Sequence, residues 1–301
     1  MTPSWLRDAA AALSAAGVTR PRWTAEQIAA SVLDCEPLAL TLDPPVVGPS
    51  EIAQVRRRIA RRVRGVPLQY LTGICGFFGH DLRVGDGVFI PRPETERLVE
   101  VAVRELARLP VTRPTVFDVG TGSGAVAISL TFASPIGTLV GFDISRQALT
   151  VAQGNAHRLG IAARIRWVCA DLLTPCGSAT ADLVVANLPY IPSSALPSLP
   201  PEVQWEPPLA LDGGADGLRP CRRLLAQAQT RLRPHGVMVL EVGVGQAARL
   251  RAEYAGRWAQ IDVIQDDTGA ERVVVFHRRR PAHPDDDGSR RVDAWAMTSH
   301  G

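Results

Sequence analysis

Two short segments carry residue types suited to chemistry. Phe117 to Gly124 reads F-D-V-G-T-G-S-G, and Asn187 to Tyr190 reads N-L-P-Y at the end of the apolar run A-D-L-V-V-A. The second segment poses a choice. An amide, a proline and an aromatic ring can close a plain turn, or they can hold a planar, weakly nucleophilic amino group. In the first segment Gly120, Gly122 and Gly124 have no side chains, so a ligand can approach the backbone closely. Asp143 ends the next apolar run, 19 residues beyond Gly124. Its carboxylate can accept both ribose hydroxyls of a nucleoside. Asp171 ends the run after that and offers an acceptor for an adenine amino group. Tight-turn glycines in an ordinary α/β fold are the bland alternative. A dinucleotide enzyme is another, but G-T-G-S-G-A-V is not G-x-G-x-x-G, and no pyrophosphate site is evident.

These residues need elements to position them. From residue 115 the pattern alternates between strand and helix: T-V-F-D-V, a helix over 123–131, T-L-V-G-F-D, a helix capped by Ser145, R-I-R-W-V-C-A-D, then A-D-L-V-V-A-N. A helix over 217–232, V-M-V-L-E-V, a helix over 245–256, and I-D-V-I-Q with R-V-V-V-F-H as an antiparallel pair complete the set. Such repeats imply a mostly parallel sheet with helices on both faces. The three acidic or glycine-rich features then fall at the carboxyl ends of successive strands, where such sheets bind ligands. W-V-C in the third strand reads as core.

The first 65 or so residues read as a small helical domain. Helices are expected over 4–16 with Ser4 as cap, from Thr24 with T-A-E-Q as a capping box, and from Ser50. In the last, Ile52, Val55, Ile59 and Val63 face a core and the arginines lie mostly opposite. Leu82 and Val84 followed by Val88 and Ile90 suggest a hairpin across Gly85-Asp86-Gly87. A helix follows from Glu94 to about Leu109. The expected organisation is a helical region over 1–75, a hairpin connector over 76–93, an α/β catalytic domain over 94–280, and a loose tail over 281–301.

Bulk properties exclude several classes. The chain has 301 residues, 46% hydrophobic and 21% charged, with a net charge of +3, so bulk charge is no argument for nucleic acid. Arg56, Arg57, Arg58, Arg61, Arg62 and Arg64 crowd one segment, and Arg278 to Arg280 form a second patch; solvated surface is the favoured reading of the first. There is no lysine, which excludes Schiff-base and lysine-nucleophile chemistry. Cys35, Cys75, Cys169, Cys176 and Cys221 lack zinc or redox spacing, and no metal site is expected. Asp285 to Asp287, near His283, read as a solvated charge run. His80 and His157 read as structural or surface residues. Glu202 and Glu206 read as support for the loop after Tyr190, and Trp205 as packing within it. No signal peptide or membrane span is indicated, so a cytoplasmic protein is expected, with a monomer favoured.

D-V-G-T-G-S-G resembles the nucleoside loop of class I methyltransferases, which use S-adenosylmethionine and release S-adenosylhomocysteine. That resemblance implies a Rossmann-like domain with Asp118, Gly120, Thr121, Gly122, Gly124, Asp143, Ile144, Asp171, Leu172 and Asn187 around the cofactor, Asp118 shaping the loop rather than acting as a base. N-L-P-Y is similar to the Asn/Asp-Pro-Pro-Tyr/Phe segment of amino-methyltransferases. There the Asn187 oxygen and the Leu188 carbonyl would each accept one N–H of the acceptor nitrogen, and Tyr190 would stack on it. Leu188 stands where proline is usual, but a backbone carbonyl survives that change. R-R-V-R-G-V-P-L-Q-Y-L-T-G, V-F-I-P-R-P-E-T-E-R-L-V-E, N-L-P-Y-I-P, P-E-V-Q-W-E-P-P-L-A-L-D-G-G-A-D-G-L and D-D-T-G-A-E-R-V-V-V together resemble the PrmC/HemK family of protein-(glutamine-N5) methyltransferases, over about residues 5–277. The resemblance implies methylation of the glutamine in the Gly-Gly-Gln motif of peptide-chain release factors, with the helical domain helping to hold the release factor. Asn187, Leu188, Pro189 and Tyr190 would serve the acceptor, with Phe78, Arg92 and Pro93 near the substrate channel. Nucleic acid is not required, although N-L-P-Y also resembles adenine-N6 methyltransferases of RNA or DNA. A family paralogue acting on another protein or a small molecule is the other alternative.

Overall fold

The computed structural model describes residues 3–43 and 45–278. The opening residues form α1 (Ser4–Ala15), α2 (Pro21–Leu33), a short α3 (Ala39–Leu42), α4 (Pro49–Val63) and α5 (Leu68–Thr72). Leu6, Leu13, Ile28, Val55 and Ile59 close a separate apolar cluster there, joined by Val84 and Ile90 from the chain that follows. Strands β1 (Ile74–Phe77) and β2 (His80–Arg83) form a hairpin, and α6 (Glu94–Arg108) leads into the α/β part. Glu94 and Glu96 lie in the first turn of α6, favourable to its dipole.

The α/β part contains β3 (Thr115–Val119), α7 (Ala125–Ala133), β4 (Thr138–Asp143), α8 (Arg146–Arg158), β5 (Ile165–Cys169) and β6 (Ala181–Ala186). A short β7 (Ile191–Pro192) pairs with β8 (Asp212–Gly214); then come α9 (Arg219–Arg231), β9 (Leu232–Glu241), α10 (Gln246–Tyr254), β10 (Gln260–Gln265) and β11 (Glu271–His277). The main sheet has order β10-β11-β9-β6-β3-β4-β5. Its inner pairs are parallel and β11 is antiparallel to both neighbours. Every residue of β6 is buried, as a central strand covered on both faces requires. Leu98, Val126 and Ile128 pack one face of the sheet, and Leu224, Leu225 and Leu250 pack the other. Strand order reverses between β3 and β6, which opens a crevice at their carboxyl ends.

Several local expectations are corrected. Pro3 precedes α1 and Ser4 is its first residue, with no side-chain cap bond. Helix α2 starts at Pro21, whose fixed φ suits a first helical position, so T-A-E-Q is no capping box: Thr24 is buried inside the helix. Helix α4 starts at Pro49, and its apolar stripe ends at Ile59: Val63 is exposed while Arg62 is buried. The hairpin turns at Phe78-Gly79, not at Gly85-Asp86-Gly87, and pairs Phe77 with His80. Both turn residues have positive φ, 48° and 76°, as a two-residue primed turn demands; phenylalanine is an unusual residue there, so the signal was weak. Val84, Val88 and Ile90 are buried but form no strand. β5 lies at a sheet edge, so W-V-C is only partly covered and Cys169 is exposed. The Ser145 cap is present, its Oγ accepting from the Ala148 N–H at 3.2 Å. Arg279, Arg280, His283, Asp285 to Asp287 and the rest of 281–301 lie outside the described residues.

Candidate active site

The turn after β3 is built from backbone donors. The N–H groups of Gly120 and Thr121 donate to the Phe142 carbonyl at 2.8 and 2.9 Å, stitching it to β4. Asp143, at the end of β4, accepts from the Gly122 N–H at 2.9 Å and the Ser145 N–H at 2.8 Å. Burial raises its carboxyl above the ordinary range, opposed by those backbone bonds. Beneath the loop, Asp118 accepts from the Thr121 hydroxyl at 2.6 Å and the Ala127 N–H at 3.0 Å. It is buried, and that burial pushes it up to about 7. At Gly120, with φ 75°, a Cβ would come within 2.9 Å of Leu188 Cδ2, so the close approach of the two motifs requires glycine.

A cavity of about 470 Å³ lies over this turn. Gly120, Thr121, Gly122, Asp143 and Ile144 line it from one side, with Asp171 and Leu172 beyond them. Leu172 holds φ 55°, uncommon for a branched residue. Asp171 pairs with Arg223 at 2.6 Å, both about half-exposed. Asn187, Leu188, Pro189 and Tyr190, at the end of the neighbouring strand β6, line the cavity beside Gly120. The Asn187 Nδ2 donates to Thr95 Oγ1 of α6 at 3.0 Å. Leu188 is buried against Gly120. Tyr190 packs on Gly243, and its carbonyl accepts from Gln246 Nε2 at 2.9 Å. Burial pushes its hydroxyl up to about 12.

The chain after β7 folds over the cavity mouth, contributing Leu199, Val203, Pro207 and Leu209. Two ion pairs hold it. Arg62 of α4 pairs with Glu202, and Arg92 pairs with Glu206. Glu206 is buried and also accepts from the Ile90 N–H at 3.0 Å. Both glutamates therefore support this loop, as expected. Trp205 is largely exposed, near Gly65.

Not every expected residue reaches the cavity. Asp118 and Gly124 lie behind the loop, Gly124 backed by Ala152 and Trp167. Pro93 caps α6 outside the lining. Phe78 sits in the hairpin turn, packed on the core with its N–H bonded to Glu96 at 2.8 Å, and does not line the cavity. Phe89 lines it instead, beneath the Arg92 guanidinium at 4.9 Å. Arg92 is at the cavity, but its charge is matched by Glu206. Sequence reasoning also passed over Thr95, Glu241 and Gln246. Thr95 lies in a segment that carried the family resemblance, but only the fold shows what the three touch. Among the described residues no group of side chains could hold a metal ion and no helix is long and apolar enough to cross a membrane.

A sheet of this order, with a glycine turn, a ribose-type acceptor and an amide-bearing loop around one cavity, is that of a class I S-adenosylmethionine-dependent methyltransferase. Backbone donors, the half-buried Asp143 and the open space above Gly122 fit a nucleoside cofactor. A model of the PrmC N-terminal domain matches residues 4–73, and one of ribosomal protein L11 methyltransferase matches residues 99–203. The release factor glutamine methyltransferase of Moorella thermoacetica is 42% identical over 91% of this chain and 97% of its own. That of Rhodospirillum rubrum is 39% identical over 90% of this chain and 83% of its own. The chain belongs to this family of release factor glutamine methyltransferases. The hMettl16 catalytic domain, solved in complex with MAT2A 3'UTR hairpin 6, is 16% identical over 73% of this chain and 81% of its own, with a TM-score of 0.54, a likeness of fold alone.

Proposed function

We propose that the chain transfers a methyl group from S-adenosylmethionine, in line and directly, to the side-chain amide nitrogen of the glutamine in the Gly-Gly-Gln motif of peptide-chain release factors. The observation that carries this is one cavity lined both by the Gly120–Gly122 turn with Asp143 and by the Asn187 amide, in a chain that matches a release factor glutamine methyltransferase over 91% of its length. When bound, the cofactor supplies an electrophilic methyl group on a sulfonium. Gly120, Thr121, Gly122, Asp143, Ile144, Asp171 and Leu172 would hold it, with the Asp143 carboxylate suited to accept ribose hydroxyls.

An amide nitrogen is neutral but a poor nucleophile, because its lone pair is shared with the carbonyl. The Asn187 oxygen and the Leu188 carbonyl each accept one N–H, which turns that lone pair toward the reacting carbon. Tyr190 stacks on the acceptor plane. Orientation of this kind accounts for up to roughly 7–11 kcal/mol in ideal cases. The two oxygens also stabilise positive charge developing on nitrogen. The product loses its proton to solvent afterwards, so no strong base is needed. Asp118 fits that scheme, since it supports the turn from below. Phe89 takes the channel position expected of Phe78, and Arg92 shapes the mouth through Glu206.

Residues 1–75 form a region that contacts the release factor, and 94–280 the catalytic domain, in a monomer acting in the cytoplasm. The match of the PrmC N-terminal domain model to residues 4–73 favours a release factor over the adenine alternative. The test is mass spectrometry of candidate release factors after incubation with S-adenosylmethionine. A single added methyl on the Gly-Gly-Gln glutamine, lost when that residue is Ala, is expected. Label entering RNA or DNA instead would overturn the reading.

A further inference from the structure

A side-chain amide has two ends of nearly equal size and opposite hydrogen-bonding character. If Asn187 serves as an acceptor, something must keep its oxygen, rather than its NH2 group, toward the cavity. We propose that Thr95 and Glu241 are positioning residues that set which end of the Asn187 amide faces the substrate. This rests on the reading of Asn187 given above.

Three observations support it. The Asn187 Nδ2 donates to Thr95 Oγ1 at 3.0 Å. Thr95 is buried in the first turn of α6, where water cannot replace a lost partner. Glu241, at the end of β9, is buried beside them, and the Thr95 and Asn187 side chains both favour the ionised form of its carboxyl. A hydroxyl has one proton to give. Having accepted from Asn187, Thr95 has its own proton free for the Glu241 carboxyl, which gives the chain one polarity: Asn187 to Thr95 to Glu241. Turning the amide over would present its oxygen to Thr95. The hydroxyl proton would then be drawn from Glu241, leaving a buried acceptor without its donor, a costly state. It would also point two N–H groups at a substrate that itself brings two.

The charged and titratable groups around Glu241 come from three other elements: Glu94 on α6, Arg272 on β11 and Tyr190 on the acceptor loop. Glu241 Oε2 has no hydrogen-bond partner among the described residues. A proton taken up by this carboxyl can sit there, and the other oxygen remains an acceptor in either state. The chain is thus preserved across neutral pH.

The experiment is a set of variants in the full chain, with turnover on a release factor and cofactor affinity by calorimetry. Thr95→Val keeps the shape and removes the hydroxyl. We expect kcat to fall roughly 10- to 100-fold, the span that one lost buried partner covers, with KM and cofactor affinity within about twofold of the parent. Thr95→Ser should restore kcat. In a double-mutant cycle, Thr95→Val should add almost nothing to Asn187→Ala, because it acts through that amide. Should Thr95→Val leave kcat within twofold while Asn187→Ala is crippled, the positioning proposal is overturned alone. It is overturned equally if the effect of Thr95→Val adds fully to that of Asn187→Ala, or if Thr95→Ser is as impaired as Val. Parent-like turnover of Asn187→Ala overturns the underlying reading instead. If Thr95→Val does not fold, Glu241→Leu serves in the same cycle, with the same outcomes.

Discussion

The two sides of the cavity are built in different ways. The turn at Gly120 to Gly122 is held by partners closer in the chain: Asp118, three residues before Thr121, and Phe142 and Asp143 at the end of the adjacent strand, Asp143 being 21 residues from Gly122. The acceptor loop at Asn187 to Tyr190 is held from far away. Thr95 lies 92 residues earlier, and Gln246 is 56 residues from Tyr190. Gly217 comes so close to the Tyr190 carbonyl that a Cβ there would strike it. A binding turn made of backbone donors can be written in one short motif. A side-chain amide that must present one particular end needs partners from several elements.

The largest effect should come from Asn187→Ala. On the acceptor side it should cut kcat by about 10²–10³-fold, the usual range for losing one aimed group, while cofactor affinity measured by calorimetry changes little. A parallel loss of both would mean the two sides are not separate. Asp143→Ala should do the reverse: cofactor affinity falls by roughly 10- to 100-fold, as for a lost hydrogen bond to a charged group, and kcat at saturation is largely kept. A kcat loss at saturating cofactor equal to that of Asn187→Ala would contradict the division.

Gly217→Ala probes the remote support. With φ 77° and the Tyr190 carbonyl in the way, it should cost about 1–3 kcal/mol of stability, read as a lower Tm, and should reduce turnover more than cofactor binding. An unchanged Tm would show that the loop can move aside freely.

Acidity offers a subtler handle. Burial pushes the Glu241 carboxyl from its ordinary 4.5 up to about 7; Thr95, Arg272 and Asn187 oppose the rise and Glu94 adds to it. The folded chain then keeps a proton that the unfolded chain has released. That contribution to stability is complete below pH 4.5 and is lost as pH rises through about 7. Glu241→Gln should flatten the decline of Tm across that window without abolishing it, because Asp118 is also pushed up to about 7. A steeper decline in the variant would reverse the sign of the argument. The smallest effect belongs to Arg223→Ala. Its pair with Asp171 is half-exposed, so stability should change by only about 0.2–1 kcal/mol, and a larger shift in denaturant midpoint would show that the cofactor side also leans on distant residues.

The same contrast explains what could be read before the fold was known. The α/β alternation, the glycine turn, Asp143 and the Ser145 cap depend on residues near one another in the chain, and each stands where its pattern put it. The hairpin was displaced because Phe78 accepts a positive φ that its type does not advertise. Phe78 and Phe89 are both aromatic and both flank glycine or its near neighbours, and only packing shows that Phe89 alone reaches the cavity. Arg62 and Arg92 read as surface and substrate contacts, whereas the fold pairs them with Glu202 and Glu206 to fasten the loop over the site.

The amino-acid order by itself determined the class of fold, the cofactor turn and the acceptor tetrapeptide, since period, turn chemistry and short motifs are local properties of a chain. Tertiary structure alone decided which end of Asn187 is tied down, what Tyr190 leans on and where Glu241 lies. Those depend on β6 standing between β3 and β9, which brings α6, β9 and α10 together around the acceptor loop, and a buried hydrogen bond has a direction only once both partners are in place.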